Sequence, residues 1–245
     1  MSFEPLPGQS TAELVAERIR SAILEGTIEP GERLIEADIA ADLGISRGPV
    51  REGIRLLVPE GLVVLCRNRG AAVVSPTFDD VLEVYALRLA LGGLAFDHIA
   101  ALDATHAPGF DDALVLLDRL RDPEVQQDAA LMMDADLLFQ QSLLELSLLP
   151  RITATLEQTA RDITVFVRLL GITYDAVDHA SLIDRHERLL TALRSRDARE
   201  AMAVWREHIR CTIGEFARGY PEAEIQGIFD LPLMHHVFDH SHQEN

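Results

Sequence analysis

Apolar residues recur over residues 11–25 at Leu14, Val15, Ile19, Ala22 and Ile23, a helical spacing that Gly26 brings to an end. After the turn EPGERL, Ile35, Ile39 and Leu43 mark a short second helix stopped by Gly44. Ser46 is a good N-cap for a third helix, with Pro49 in its first turn and Val50, Ile54 and Leu57 on one face. Pro59 and Gly61 close it. The runs LVVL and AAVV are short and apolar, as strands are, and the segment CRNRG between them reads as a polar hairpin tip. Helix, helix, tight turn, helix and β-ribbon in that order predict a winged helix-turn-helix.

Past Ser75-Pro76-Thr77 the pattern becomes helix after helix with Leu-rich faces. The periodicity predicts helices over 78–104, 109–121, 124–148, 150–170, 175–195 and 197–218, with breaks at Pro108, Pro123, Pro150, Gly171 and near Asp197. No run of β-branched residues suggests a strand there. The expected fold is mostly α: a winged helix-turn-helix over residues 1–76, then an all-α bundle of six to seven helices over 77–230. A tail over 231–245 carries four of the nine histidines, His235, His236, His240 and His242. A frayed surface tail is its simplest reading.

Composition narrows the class. The chain is 48% hydrophobic and 25% charged, ordinary for a globular protein. No uninterrupted apolar run reaches the roughly 18 residues of a membrane span, and the N-terminus has no export signal, so no membrane partner is expected. Cys66 and Cys211 form neither a CxxC site nor a disulfide framework, which suits a reducing cytoplasm. A net charge of −18 argues against a protein that coats nucleic acid. The acidity is uneven, however: residues 1–76 carry −3 and the remainder −15. Every one of the 22 basic residues is arginine, suited to bidentate contacts with phosphate or guanine.

The basic residues that stand out lie in the predicted reader helix and ribbon. A helix-turn-helix sets the N-terminus of its reader helix against base edges in the major groove. Ser46, Arg47 and Arg51 occupy that end, and Arg47, Arg51 and Arg55 share one stripe opposite the apolar face. A solvated helix face would show the same stripe. The second pair, Arg67 and Arg69 on the ribbon tip, with Gly70 allowing close backbone approach, favours contact with double-stranded DNA.

These runs resemble the winged-helix domain of the GntR family of bacterial transcriptional regulators. The matching stretches are Ile23–Leu34 (I-x-x-G-x-I-x-P-G-E-R-L), Leu43–Glu52 (L-G-I-S-R-G-P-V-R-E), Glu60–Val63 (E-G-L-V) and Arg67–Ala71 (R-N-R-G-A). The helical remainder resembles the FCD effector-binding domain of the fatty-acid-regulator branch. The resemblance implies DNA contacts at Arg47, Arg51 and Gly70. It also departs from the family: IEADIA offers no arginine in the second helix, where some members have one.

FCD domains commonly hold a divalent metal through D-x-x-x-H and two later histidines. Here Asp136 opens that motif, Gln140 stands where the family has His, and His186 and His208 fit the other two places. The resemblance therefore implies a metal of the zinc, nickel or manganese type at Asp136, His186 and His208, weakened by Gln140. The apolar residues around all four groups agree that they point inward. A metal-free hydrogen-bonded core would satisfy the same groups, with Gln140 as amide donor. Arg88 matches an inward-facing FCD arginine suited to an effector carboxylate, and Gly92 stands where an acidic residue is usual. The whole implies a cytoplasmic, homodimeric, non-enzymatic transcriptional repressor, reading an inverted-repeat operator and controlled by a small carboxylate-bearing effector. Two alternatives stay open. One is a metal-free regulator sensing its ligand through Gln140 and Arg88. The other is a helical metalloenzyme, for which the DNA module has no use.

Overall fold

The computed structural model describes residues 9–67, 70–102, 108–172 and 178–218. Arg69 and the His-rich tail lie outside them. The main break between two compact units falls between Pro76 and Thr77.

In the first unit, α1 (Thr11–Leu24) starts at a capping box in which Ser10 and Glu13 satisfy each other's backbone N–H groups. It buries Val15, Ala16, Ile19 and Ile23, while Leu14 is exposed. Those residues lie against α3 (Arg47–Leu57), whose Val50, Ile54 and Leu57 are buried as the spacing predicts. The two helices meet at Gly53, where an added Cβ would lie 2.8 Å from a Val15 methyl carbon. Between them α2 (Glu36–Leu43) ends at Gly44 in the left-handed region, φ 65°. Ser46 holds the N-cap position of α3 with extended backbone, but its hydroxyl makes no capping bond.

The ribbon strands are β2 (Val63–Cys66) and β3 (Gly70–Val73), each one residue off the expected run. The turn EPGERL supplies a further strand, β1 (Arg33–Leu34), that hydrophobic alternation does not reveal. Two residues are too few to show a period. Gly31 turns at φ 81° and donates to the Val73 carbonyl, while Val73 donates back to Glu32. The sheet is antiparallel in the order β1–β3–β2, with Arg33 opposite Ala72 and Cys66 opposite Gly70.

The second unit is all-helical among the described residues: α4 (Phe78–Ala101), α5 (Pro108–Leu120), α6 (Pro123–Gln126), α7 (Ala129–Glu145), α8 (Pro150–Leu169), α9 (His179–Arg194) and α10 (Ala198–Ala217). The single helix expected over 124–148 is two. Asp128 breaks it by accepting from the backbone N–H groups of Ala130 and Leu131, which starts a new helix. Asp122, Asp178 and Asp197 cap α6, α9 and α10 in the same way. Of the described helices, α4 alone has the length and mean hydropathy, 1.2, to cross a membrane, but charged residues interrupt it and half of that stretch is buried inside the protein. Its apolar side packs on α10, with Phe96 edge-on to Trp205 at 5.2 Å between ring centroids.

Candidate nucleic-acid interface and buried polar cluster

A groove of about 580 Å³ opens in the first unit, between α3 and the sheet. Arg33, Arg47, Arg51 and Arg55 line it, with Glu36 and the wing residue Gly70. Gly70 adopts φ 80°, so its backbone turns where a side chain would be strained. The stripe Arg47, Arg51 and Arg55 is exposed, as the helical spacing requires. Arg67 is exposed at the end of β2.

Arg51 and Arg55 are paired with neighbouring carboxylates. Arg51 grips Glu36 through Nε (3.0 Å to Oε1) and Nη2 (2.9 Å to Oε2), and Arg55 reaches Glu52 at 2.8 Å. The hydrogen bonds from Arg51, with the nearby Arg47 and Arg55 charges, hold the Glu36 carboxyl below its ordinary range against a small burial effect. Water screens such solvent-facing pairs, so a phosphate or base edge can displace them. Sequence reasoning missed Arg33 and Glu36. Arg33 enters the groove only because β1 pairs with β3, and Glu36 is paired with a residue fifteen positions away.

In the second unit Asp136, Gln140, His186 and His208 are all buried, on α7, α9 and α10. One ligand atom from each of Asp136, His186 and His208 lies within 4.8 Å of the others. His186 Nε2 is 2.6 Å from Asp136 Oδ1. Gln140 Nε2 donates to the same oxygen at 2.8 Å and lies 3.0 Å from His208 Nε2, which accepts from the amide. Arg88, buried on α4, donates to Gln140 Oε1 and to Thr159 Oγ1 at 2.9 Å. That bond fixes the amide: its oxygen faces Arg88 and its NH₂ faces the carboxylate and imidazole. Rings frame the cluster, Phe139 stacked on His186 at 4.3 Å and Trp205 on His208 at 5.5 Å.

The electrostatics follow from burial and these partners. Burial opposes the Asp136 carboxylate, but His208, His186 and the Gln140 amide outweigh it and hold its pKa below the ordinary range. Burial pushes His208 down to about 3, with Asp136 pulling the other way and His186, Arg185 and Arg88 adding to the depression. His208 is thus neutral at physiological pH, its Nε2 accepting and its Nδ1 carrying the proton. That Nδ1 has no hydrogen-bond partner. The donor set fits a divalent metal with three ligands, Asp136, His186 and His208. The fourth place faces a hydrogen-bond donor, the Gln140 NH₂, not a lone pair.

Gly92 is explained by the same cluster. A Cβ there would lie 2.5 Å from Trp205 Nε1, which donates to the Arg88 carbonyl at 3.0 Å. The indole fills the space an acidic side chain would need.

A winged helix with an arginine-lined groove, followed by a helical domain with a buried polar cluster, defines a two-domain DNA-binding regulator. The family model described as "Bacterial regulatory proteins, gntR family" matches residues 11–73, and the one described as "FCD domain" matches residues 81–210. The chain belongs to the GntR family of transcriptional regulators, with an FCD domain as its helical part. Among curated relatives, the gluconate operon transcriptional repressor of Bacillus subtilis is 28% identical over 191 residues, 77% of each chain. The regulator McbR of Escherichia coli is 26% identical over 182 residues, 70% of this chain and 77% of its own. A putative GntR regulator from Rhodococcus sp. RHA1 superposes with a TM-score of 0.64 at 24% identity, covering 87% of this chain and all of that one. At that identity the likeness bears on the fold.

Proposed function

We propose that this protein is a cytoplasmic, homodimeric repressor that binds an inverted-repeat operator and responds to a small carboxylate-bearing effector in its helical domain. The observation that carries the reading is the groove in which arginines of β1 and α3 converge beside the wing. In this reading Arg47 and Arg51 contact base edges, Ser46 and Arg55 the backbone, and Arg67, Arg69 and Gly70 the flanking groove. A symmetric second copy reads the other half-site. The name of the B. subtilis relative makes sugar acids such as gluconate natural first candidates for the effector.

Asp136, His186 and His208 would hold a divalent metal of the zinc, nickel or manganese type. Such an ion supplies a Lewis acid that draws in an effector carboxylate. To hold such an ion His186 would present Nε2 without its proton, and the Gln140 NH₂ would have to face elsewhere. A second reading, sensing without metal, is favoured by the amide that Arg88 holds with its donor toward Asp136 and His208.

The test is footprinting on DNA upstream of the protein's own gene and its neighbours. Arg47→Ala and Arg51→Ala should each cost about 1–3 kcal/mol of operator affinity and relax preference at one position. Unchanged footprints in both folded variants would sink the DNA-binding assignment.

A further inference from the structure

Arg185, beside His186 on α9, is 5% exposed, yet its Nε and Nη2 hydrogens meet no acceptor in the structure. A buried N–H edge without an acceptor is costly, because those atoms surrender their hydration and no hydrogen bond replaces it. The side-on edge formed by Nε and Nη2 is the edge this chain uses elsewhere to hold carboxylates. Arg20 binds Glu60 that way at 2.7 Å for both bonds, and Arg51 binds Glu36 likewise.

Asp178 and Glu215 feel the Arg185 charge, but no carboxylate of the described residues hydrogen-bonds its Nε or Nη2. Asp136 bonds to His186 and Gln140. Asp178 caps α9 and bonds to Ser181. Glu215 on α10, its side chain 10% exposed, has burial raising its pKa with the Arg185 charge opposing, and it pairs with Arg218 at 3.9 Å. Among the described residues, Arg185 is a buried cation whose Nε–Nη2 edge no carboxylate bonds. His208 Nδ1, a buried N–H on α10, lacks a partner too, and His208 is close enough for the Arg185 charge to disfavour its protonation.

We infer that Arg185 is an anion-binding residue of the helical domain, holding a carboxylate side-on through Nε and Nη2. This deepens the proposed function and rests on its reading that the domain takes a carboxylate effector. The site is separate in its atoms from Asp136, Gln140 and Arg88, and it needs no metal. A planar carboxylate accepts from both Nε and Nη2 and offsets the guanidinium charge at once. A neutral polyol of the same size can accept such bonds but offsets no charge.

The experiment uses the full chain and acetate, the smallest carboxylate. Wild type, Arg185→Met and Arg185→Lys are melted in carboxylate-free buffer, then with rising acetate against sodium chloride at matched ionic strength. Without carboxylate, Arg185→Met should melt at or above wild type, since it removes a buried N–H edge that no acceptor meets. Acetate should raise the wild-type melting temperature and leave Arg185→Met unmoved. Arg185→Lys keeps the charge but loses the planar fork, so its acetate midpoint should rise about tenfold. A carboxylate-free Arg185→Met that is folded but melts well below wild type overturns the proposal, because Arg185 would then be satisfied by the protein itself. So does a wild type whose melt ignores acetate. If that wild type still footprints an operator, the regulator reading stands and only the Arg185 site falls. An acetate response lost in Arg185→Met supports the site whether or not an operator is found.

Discussion

At the scale of single residues, the amide of Gln140 decides how the cluster behaves. Arg88 holds the amide oxygen, so the NH₂ is presented to Asp136 and His208. An imidazole at this position would instead offer a lone pair at i, i+4 spacing from Asp136. Gln140→His should therefore bind divalent metal more tightly than wild type, and His208→Ala should bind none, as read by metal titration. If Gln140→His gains nothing, the three remaining groups do not converge on an ion. A pH prediction follows for chelator-treated protein. His208 is pushed to about 3 in the folded chain, against an ordinary 6.5 when unfolded. Between those values the unfolded chain binds the extra proton, so this contribution is complete above pH 6.5 and is lost as pH falls toward 3. Urea unfolding over that window should show a steeper loss for wild type than for His208→Asn; equal slopes would contradict it. The membership of this cluster comes from the resemblance to FCD domains. The shared helical face of Asp136 and Gln140 and the apolar neighbours of both histidines agree only that the groups point inward. The orientation of the amide is not legible in the sequence, since it depends on Arg88, fifty-two positions away. Nor could Arg185 be singled out, because an arginine next to a histidine on a helix carries no mark of being buried.

At the scale of elements, helices with strong periodicity and side-chain caps emerge where the spacing puts them, and the departures have local causes. The α6–α7 break depends on Asp128 acting as a cap in mid-pattern, and β1 exists only because β3 offers it an edge. Ser46 has the right residue type and backbone for a cap but no capping bond. That leaves the first turn of α3 without a side-chain acceptor from its own cap, a feature suited to a phosphate at a helix N-terminus. The α4–α10 contact is the element pair that holds the cluster's shape. Trp205 lies against Gly92, stacks on His208 and ties the Arg88 backbone. Gly92→Ala places a Cβ against a rigid ring, and the overpacking should cost about 1–3 kcal/mol. Thermal melts should show the loss. If Gly92→Ala melts as wild type does, the close approach of α4 to the indole is not what excludes a side chain there.

At the scale of the whole chain, the charge distribution sets a limit on how the protein can use DNA. Non-specific affinity comes from phosphate neutralisation, with a salt slope of about −0.9 for each phosphate contacted. The groove supplies Arg33, Arg47, Arg51 and Arg55, of which Arg51 and Arg55 already face Glu36 and Glu52. Against them stands a chain of net −18, with −15 of it beyond residue 76. Residues beyond a Debye length, about 8 Å at physiological salt, are screened, so the acidic remainder matters most in dilute buffer. There the usual rise in non-specific binding should be blunted, while base contacts at an operator persist. Operator complexes should therefore withstand a large excess of bulk genomic DNA, and the salt slope on random duplex should be shallow. Glu36→Gln frees Arg51 and removes a charge from the groove, so it should raise random-DNA affinity and steepen that slope. Gel shifts on operator and random duplexes across a salt series measure both quantities. Stoichiometric coating of random DNA by wild type at moderate salt, or a Glu36→Gln slope no steeper than wild type, would show that these arginines are not the source of phosphate binding.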